Sequence, residues 1–356
     1  MLALARVKVL RPGSTEWSEV LTRVGHDVFH TPEYHSIGGF GQEGEPQAFT
    51  YEEGDLTFLW PYLLTPIAGA PGYHDATSVY GYSGPVGSAD KGFLVRAWAA
   101  LQEHWKSQQV VSVFTRFNPL LGNFSCLEGT PAEAGIRDCG STVSIDLTLP
   151  AEVQKSQCHR SLRARIRKGR EAGMVTVEDV AWTHLDDFVT VYQYTMARLG
   201  SRPEYVVDHD WVSHFRRTLG RSARLFVTKH EDSVASVMLV IDYGQVLHSH
   251  LTATAPEHAA LSPSKVMLDD VRIWGAERGY RSMHLGGGLG GREDSLFRFK
   301  REYSPLTHSF RTGSWILNEP IYRELEAKHH ARLAAVGIDL SQITYFPSYR
   351  FNPAVG

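Results

Sequence analysis

Alternating runs of apolar and polar residues divide the chain into short strands and amphipathic helices. Apolar residues at every second position predict strands, and apolar residues recurring every three to four positions predict helices. In the second half the elements follow the order β-α-α-β-β-β-α-β-α. Their predicted ranges are Met174–Val180, Leu185–Leu199, His209–Leu219, Arg224–Thr228, Val234–Ile241, Val246–Thr252, Pro263–Glu277, Arg281–Leu285 and a final helix that contains Lys300.

The first half repeats this order approximately. Its predicted strands are Ala5–Leu10, Gln47–Tyr51, Leu56–Leu64, a short strand within Asp75–Gly87, Val110–Phe117 and Val143–Leu147, and its predicted helices are Ser14–Val24 and Lys91–Lys106. Asp27–Gly41 is predicted to be a loop, and a strand at Ser309–Leu317 and a helix at Glu319–Val336 close the chain. No residue-level repeat accompanies this order, so duplication of topology alone is indicated. The order is typical of an α+β fold with mixed, mostly antiparallel sheets and packed helices.

Residues 284–304, HLGGGLGGREDSLFRFKREYS, combine a glycine-rich turn with an amphipathic helix. Glycine lets the backbone approach a ligand closely, because it has no Cβ and permits positive φ. At 100° per residue, four apolar side chains form one arc of the helix, and Lys300 lies inside that arc. The four are Leu296, Phe297, Phe299 and Tyr303. A lysine in that position either extends its amine to solvent, has a lowered pKa, or meets an anionic partner.

Composition narrows the class of protein. With 356 residues the chain can bury a large core, and its length favours two domains. The formal net charge of −3 gives no general indication of nucleic-acid or membrane binding. The three cysteines are widely spaced, which argues against a disulfide scaffold and suits a reducing cytoplasm. Arg6 and Lys8 interrupt the apolar N-terminus and no run approaches the ~20 apolar residues of a membrane span, so a soluble cytoplasmic protein is expected.

The segment between the two halves, residues 154–173, is strongly basic. On a helix, four of its arginines form one stripe, whereas Leu162 and Ile166 lie on another face. The four are Arg160, Arg163, Arg167 and Arg170. Such a stripe either neutralises the phosphates of a nucleotide or an RNA end, or is a solvated helix face. Its position between the halves, where a cleft is expected, favours phosphate binding.

Common metal and cofactor motifs are missing. The 17 histidines include no HExxH motif and have no convincing carboxylate partner, so no metal site is predicted. No Walker A motif, GxSxG elbow or dinucleotide-binding fingerprint occurs either. The glycines at 286–291 are weak support for a nucleotide loop, because Glu293 and Asp294 open the following helix and would repel a pyrophosphate there.

Four motifs in the chain resemble those of the FemABX family, whose members carry two tandem copies of the acetyltransferase (GNAT) fold. They are DATSVYGYSGPVG (75–87), RFNPLL (116–121), SLRARIRKGREAG (161–173) and the glycine-loop segment 284–304, which is the most specific. The resemblance covers nearly the whole chain. It implies a first GNAT-like domain at 1–150 and a second at 151–317 that carries the active-site lysine, with residues 318–356 packing back on the first domain.

The resemblance implies an enzyme that transfers an aminoacyl group from the 3′ end of an aminoacyl-tRNA to an amine. The acceptor would be a peptidoglycan nucleotide precursor or a small metabolite, and no cofactor beyond the co-substrate is implied. Plain GNAT enzymes hold the CoA pyrophosphate with a glycine-containing loop, and the corresponding stretch here, TATAPEHAALSPSK (252–265), has no glycine. Two alternatives stay open: an acyl-CoA-dependent N-acyltransferase, and a double GNAT domain that binds a ligand without catalysis.

The resemblance also indicates which residues act on the substrate. Lys300, preceded by Phe299, corresponds to a lysine near the reaction centre, where it would neutralise a developing oxyanion or hold a carboxylate or phosphate. No general base stands out, so assistance by the substrate is expected. The expected substrate-binding residues are Gly286, Gly287, Gly288, Tyr303, Arg163, Arg167, Tyr80, Tyr82, Arg116 and Arg198. For Tyr80 and Tyr82 the alternative role is aromatic packing, and for Arg116 it is a buried ion pair.

Overall fold

The computed structural model describes residues 5–38, 43–200 and 207–352 of the chain. The chain forms two compact units. Unit 1 comprises Met1–Gly38, Gln42–Asp138 and Arg311–Gly356, and unit 2 comprises Gly39–Gly41 and Cys139–Phe310. The chain therefore changes unit inside two strands, Ile136–Asp146 and Thr307–Ile316. The divisions expected from the sequence, 150/151 and 317/318, fall just after the ends of these strands.

The elements follow the predicted order in both halves. The strands are β1 (Arg6–Leu10), β2 (Glu45–Glu53), β3 (Leu56–Pro66), β4 (His74–Thr77), β5 (Val86–Gly87), β6 (Val110–Arg116), β7 (Ile136–Asp146), β8 (Val175–Glu178), β9 (Ala223–His230), β10 (Ser233–Tyr243), β11 (Val246–Thr254), β12 (Ser282–Gly286) and β13 (Thr307–Ile316). The α-helices are α1 (Thr15–Leu21), α2 (Pro32–Ile37), α3 (Lys91–Ser107), α4 (Ala151–Gln157), α5 (Arg160–Glu171), α6 (Leu185–Arg198), α7 (His209–Leu219), α8 (Pro263–Glu277), α9 (Ser295–Arg301) and α10 (Glu319–Ala335).

The predicted loop at 27–41 is wrong over part of its length, because it contains α2, and its residues 39–41 lie outside the described residues. The hydroxyl of Thr31 accepts a hydrogen bond of 3.2 Å from the backbone N–H of Tyr34, and Pro32 occupies the first position of the helix. A capping threonine followed by proline is a recognised helix start. The helix has only 6 residues and ends at Gly38, whose φ is +64°. Its apolar periodicity is therefore too short to stand out in the sequence.

In unit 1 the strands lie in the order β1-β2-β3-β4-β6-β13, with β5 paired to β3. Neighbouring strands are antiparallel except for the parallel pair β4–β6. Four tryptophans fill the core between this sheet and α3: Trp60, Trp98, Trp105 and Trp315. The ring centroid of Trp315 lies 5.3 Å from that of Trp98 and 5.9 Å from that of Trp60. Aromatic packing therefore anchors β13, which is remote in sequence, in the sheet of unit 1.

The C-terminal segment is also part of unit 1. Tyr322 of α10 is buried against Val111 of β6. Farther along, the hydroxyl of Tyr349 donates a hydrogen bond of 2.6 Å to Oδ1 of Asp75, and the guanidinium of Arg350 donates one of 2.6 Å to Oδ2. The buried carboxylate of Asp75 is thereby neutralised by Arg350, which lies 275 residues farther along the chain.

In unit 2 the strands lie in the order β7-β12-β11-β10-β9-β8, and β11–β12 is the parallel pair. Apolar side chains on one face of the sheet pack against α5 and α8, and we call this the α8 face. On the opposite face, which we call the α7 face, the ring of Phe215 from α7 stacks on His250 of β11 at 5.4 Å. The predicted mixed, mostly antiparallel sheets with packed helices are therefore confirmed.

A buried ionic network fixes α8 to the two helices that precede β8. The guanidinium of Arg272 donates hydrogen bonds of 3.0 and 2.8 Å to Oδ1 of Asp269, and one of 2.7 Å to the side chain of Gln154 on α4. Arg170 of α5 reaches Oδ2 of Asp269 at 2.8 Å.

Among the helices of the described residues, none combines the length and apolar content needed to cross a bilayer.

Candidate active site

A glycine turn follows strand β12 and forms the first part of the candidate site. Gly286 has a φ of +75°, and its pairing with Val143 of β7 is shifted relative to that of His284. Such a bulge with a left-handed glycine ends the regular ladder and turns the backbone away from the sheet. The turn continues through Gly290 and Gly291, whose φ values are +62° and +83°.

Two of the glycines are required by close packing of the chain itself. A Cβ on Gly287 would lie 2.9 Å from the carbonyl oxygen of Ser141. A Cβ on Gly288 would lie 2.5 Å from Oδ1 of Asp294 and would overlap the carbonyl oxygen of Arg292. The space that a side chain would take at 287 and 288 is thus filled by neighbouring residues of the chain itself.

Replacing Gly288 with alanine should therefore destabilise the turn. Because the backbone at Arg292 must move, we expect a loss of about 1–3 kcal/mol, the usual cost of overpacking. In a unit of this size that corresponds to a fall of roughly 3–10 °C in the thermal midpoint. Gly25→Ala is the control, because a Cβ there meets nothing within 4 Å. Equal midpoints for the two variants would contradict the packing argument.

Helix α9 begins at an acidic cap. The carboxylate of Asp294 accepts two hydrogen bonds of 2.9 Å, one from the backbone N–H of Phe297 and one from the backbone N–H of Leu289 in the glycine turn. Phe297 and Tyr303 are buried as the apolar arc predicts, whereas Leu296 is 38% exposed and lies at the edge of the arc. Asp294 therefore caps the helix instead of leaving its N-terminus open to an anion.

Lys300 turns its amine back towards the glycine turn. Its Nζ donates a hydrogen bond of 2.6 Å to the carbonyl oxygen of Gly287. Burial lowers the pKa of Lys300 to about 8, and the nearby carboxylate of Asp294 opposes part of that shift. Within the described part of the chain, no carboxylate forms an ion pair with this amine. Of the three possibilities that the sequence leaves open for Lys300, the structure agrees with the second, an amine with a lowered pKa.

Phe299 and Tyr303 pack around a second lysine, Lys265, at the start of α8. The Nζ of Lys265 lies 4.8 Å from the ring centroid of Phe299 and forms an ion pair with Glu302, and the residue is only 7% exposed. The hydroxyl of Tyr303 donates a hydrogen bond of 3.1 Å to the carbonyl oxygen of Lys265. Sequence reasoning missed Lys265 because its ionic partner lies 37 residues away.

The basic stripe forms on a helix as predicted, but its arginines differ in environment. Helix α5 buries Leu162 and Ile166 and exposes Arg163 and Arg167. Arg163 reaches the carbonyl oxygen of Lys155 at 3.5 Å, and Arg167 lies 3.7 Å from Glu171. Arg170 is held in the ionic network of α8. No hydrogen bond or ion pair among the described residues joins Arg163 or Arg167 to Lys300.

Tyr80, Tyr82 and Arg116 belong to unit 1. The backbone carbonyl of Tyr80 accepts a hydrogen bond of 2.7 Å from the hydroxyl of Tyr34, and the ring of Tyr82 meets that of Phe29 edge-on at 5.8 Å. The guanidinium of Arg116 lies 5.3 Å from the ring centroid of Phe114. A buried ion pair, the alternative for Arg116, is not found among the described residues.

Arg198 is exposed in the last turn of α6. The loop from which it was expected to reach a ligand continues into residues 201–206, which lie outside the described residues.

A row of histidines on the α7 face is a feature that sequence reasoning did not single out. His284 of β12 pairs with His248 of β11, and their ring centroids lie 5.7 Å apart. His308, at the start of β13, lies 6.5 Å from His284. Burial lowers the pKa of His308 and lowers that of His250 to about 3. Within the described ranges, no group of His, Cys, Asp or Glu is placed to hold a metal ion.

The comparisons with known proteins concern both units. A family model described as an acetyltransferase (GNAT) domain matches residues 156–301. Comparison with curated protein sequences finds no match. Among solved structures, FemX has a TM-score of 0.68 at 13% identity, covering 89% of this chain and 99% of that chain. L-PGS from Bacillus licheniformis has a TM-score of 0.55 at 14% identity, covering 86% and 93%. A tandem GNAT protein from the clavulanic acid biosynthesis pathway has a TM-score of 0.51 at 11% identity, covering 88% and 99%.

The chain is therefore a tandem GNAT-fold protein, and the predicted fold class is confirmed. Because the matching family model is that of an acetyltransferase domain, the chain is an enzyme of the N-acyltransferase class. Its resemblance to the FemABX family is confirmed at the level of the fold, since FemX matches both units over nearly the whole of its own length.

Proposed function

We propose that the chain transfers an aminoacyl group from the 3′ end of an aminoacyl-tRNA to an amine, as the FemABX resemblance implies. The observation that carries this proposal is the position of Lys300, a partly buried ammonium group held by the carbonyl of Gly287 at the glycine turn. The acceptor would be a peptidoglycan nucleotide precursor or another small amine, and the reaction would take place in the cytoplasm.

The chemistry requires a cation where negative charge develops. The acceptor nitrogen attacks the ester carbonyl, a C–N bond forms, and the bond from the carbonyl carbon to the ribose oxygen breaks. One proton of the attacking nitrogen passes to the leaving ribose oxygen. The carbonyl oxygen is negatively charged in the tetrahedral intermediate, and the ammonium of Lys300 would stabilise it in a site of lowered dielectric constant. The hydrogen bond to Gly287 orients this ammonium without neutralising it, because a peptide carbonyl carries no net charge.

The start of α8 supports a donor other than acyl-CoA. In GNAT enzymes the backbone N–H groups before this helix hold the CoA pyrophosphate. Here a 3₁₀ turn at Pro256–Leu261 precedes the helix, Ser262 has a φ of +55°, and Pro263 contributes no N–H. The amine of Lys265, the nearest cation in sequence, is engaged by Glu302. Acyl-CoA remains the alternative donor, favoured by the acetyltransferase model that matches this region.

Transfer from charged tRNA tests the proposal directly. The protein is mixed with tRNAs carrying radiolabelled amino acids and with a set of amines that includes a peptidoglycan nucleotide precursor. We expect label to move to one acceptor, and Lys300→Met to slow the transfer by about 10²–10³-fold. Failure with every aminoacyl-tRNA and every amine would exclude the proposed donor. Saturable micromolar binding of acetyl-CoA in calorimetry would then favour the acyl-CoA alternative, and biological activity that survives in Lys300→Met would favour a binding protein.

A further inference from the structure

Unit 2 contains a pocket of about 760 Å³ at the end of its sheet that carries β8 and β9. The walls are the segment after β8, the C-terminal half of α7 and the first residues of β9. The lining residues that the argument uses are Trp182, Arg216, Arg217, Arg221 and Arg224, with Glu178 and Asp179. Arginines outnumber acids in this lining by four to two, so the pocket is electropositive in a protein whose net charge is slightly negative.

Both acids of the pocket are already engaged. Glu178 accepts a hydrogen bond of 2.6 Å from Arg224, which also binds Asp242. The carboxylate of Asp179 accepts hydrogen bonds of 2.7 Å from the backbone N–H of His184 and 3.1 Å from the hydroxyl of Thr183. Glu178 is therefore already paired with Arg224, and the single charge of Asp179, whose hydrogen-bond donors are neutral, is outnumbered by the three arginines of the opposite wall.

The three arginines of that wall have no carboxylate partner among the described residues. Arg216 and Arg217 are adjacent near the end of α7, and Arg221 follows in the turn that leads to β9. All three are exposed, and one guanidinium nitrogen of Arg217 lies 3.4 Å from Nδ1 of His214. Guanidinium groups with free donors bind phosphate oxygens in pairs, which makes them suited to phosphate rather than to a simple point anion.

An aromatic floor completes the pocket. Trp182 is 8% exposed, and its backbone has a φ of +62°. Its backbone N–H donates a hydrogen bond of 3.0 Å to the carbonyl oxygen of Asp179, which holds the residue in this turn. The guanidinium of Arg216 lies 5.3 Å from the centroid of its ring. Stacking on the indole holds Arg216 over the pocket without cancelling its charge.

The pocket is separate from the candidate active site. Ala223 of its lining, Ile241, His248 and His284 lie in one row across β9, β10, β11 and β12. Three strand spacings of ~4.8 Å put the pocket about 14 Å from β12 along this row. Helix α9, which carries Lys300, packs through Phe297 into the core of the α8 face, whereas α7 covers the other face.

We propose that this pocket binds phosphate groups, either the phosphodiesters of an RNA or the phosphates of a free nucleotide. It is a binding site in addition to the transfer site, and phosphate binding there does not depend on which acyl donor the enzyme uses. An RNA bound through it would be held by contacts to its phosphates, and such contacts carry no sequence information.

The test compares two triple variants that each remove three exposed arginines. Arg216→Gln/Arg217→Gln/Arg221→Gln empties the pocket wall, and Arg6→Gln/Arg281→Gln/Arg332→Gln is the control with the same change in net charge. Binding of an RNA hairpin is followed by fluorescence anisotropy at several salt concentrations, and binding of uridine diphosphate by calorimetry. Thermal midpoints of both variants verify that they fold.

We expect the pocket variant to bind its ligand at least 10-fold more weakly than the control variant. For RNA, the slope of log K against log salt should fall by about two to three, since three phosphate contacts are lost. Loss confined to RNA identifies a phosphodiester backbone, and loss confined to uridine diphosphate identifies a nucleotide. Equal binding by the pocket and control variants, or no binding of either ligand by the native protein, would overturn the proposal.

This outcome is independent of the proposed function. If the native protein transfers aminoacyl groups and the pocket variant binds ligand like its control, the proposed phosphate site is refuted and the proposed function stands. If the pocket variant loses phosphate binding but the native protein transfers nothing from charged tRNA, the phosphate site is supported and the proposed donor is excluded.

Discussion

Lys300→Met is expected to lower the rate constant of acyl transfer by about 10²–10³-fold, the usual effect of removing one preorganised group that stabilises an oxyanion. The methionine keeps the length and apolar packing of the lysine stem and removes only the ammonium that Gly287 orients. Single-turnover transfer of a labelled aminoacyl group measures the effect. Lys328→Met, which removes an exposed lysine paired with Glu324, should leave the rate unchanged.

The same substitution should stabilise the folded protein at neutral pH. Folding lowers the pKa of Lys300 from 10.5 to about 8, so the unfolded chain binds more protons between these values. Stability therefore rises with pH across that window, and the charged amine costs the fold roughly 3 kcal/mol below pH 8. After the lost hydrogen bond, worth about 1 kcal/mol, is subtracted, Lys300→Met should gain about 2 kcal/mol at pH 7.

The pH dependence separates this explanation from simple repacking. Urea unfolding at pH 7 and at pH 10.5 should show the gain at the lower pH and little of it at the higher one, where Lys300 is neutral in the folded protein and half neutral in the unfolded chain. Transfer by the native protein should decline as pH rises through 8, because the cation is lost. A variant that transfers at the native rate, or whose stability gain is independent of pH, would refute the role of the charged amine.

Arg272→Met is expected to destabilise unit 2 by about 3–5 kcal/mol, because it leaves part of a buried ionic network without its partner. Arg272 is 5% exposed and Asp269 6%, and the guanidinium supplies two hydrogen bonds to Asp269 and one to Gln154. Among the described residues, Arg170 is then the cation that still contacts Asp269. Calorimetric unfolding should show the transition of unit 2 shifted to lower temperature.

Two further variants test whether the cost comes from the orphaned charge. Adding Asp269→Leu to Arg272→Met removes the carboxylate that has lost its two hydrogen bonds from Arg272, and it should recover more than half of the lost stability. Arg323→Met breaks an exposed ion pair with Glu319 and should change the free energy of unfolding by less than about 0.5 kcal/mol. A double variant less stable than Arg272→Met would show that packing, and not charge, dominates.

Several elements could be predicted because their signals are local. Helix α7 and helix α8 have the predicted ranges, since each combines a strong apolar period with a recognisable start: Asp208 caps α7, and Pro263 opens α8. Lys300 also stood out locally, as a cation within an apolar arc. Its lowered pKa follows from that placement once the helix is packed.

Other features depend on partners that are far apart in sequence. Lys265 was not selected because its ion pair with Glu302 and its contact with Phe299 join α8 to the end of α9. The ionic role of Arg170 was hidden for the same reason, since its carboxylates lie about 100 residues farther along. A stripe of four arginines looked uniform in the sequence, although folding engages one of them with α8 and leaves Arg163 and Arg167 exposed.

The sequence by itself determined the order of elements, the duplicated topology and the lysine that the proposed chemistry uses, because periodicity and helix geometry act over a few residues. Only the tertiary structure decided what surrounds that lysine. The contact between Lys300 and Gly287 depends on the bulge in β12. Gly287 and Gly288 are required because the backbone carbonyls of Ser141 and Arg292 occupy the space that their side chains would need. The arginine pocket likewise exists only where β8, α7 and β9 meet, since no short segment contains both Trp182 and the arginines.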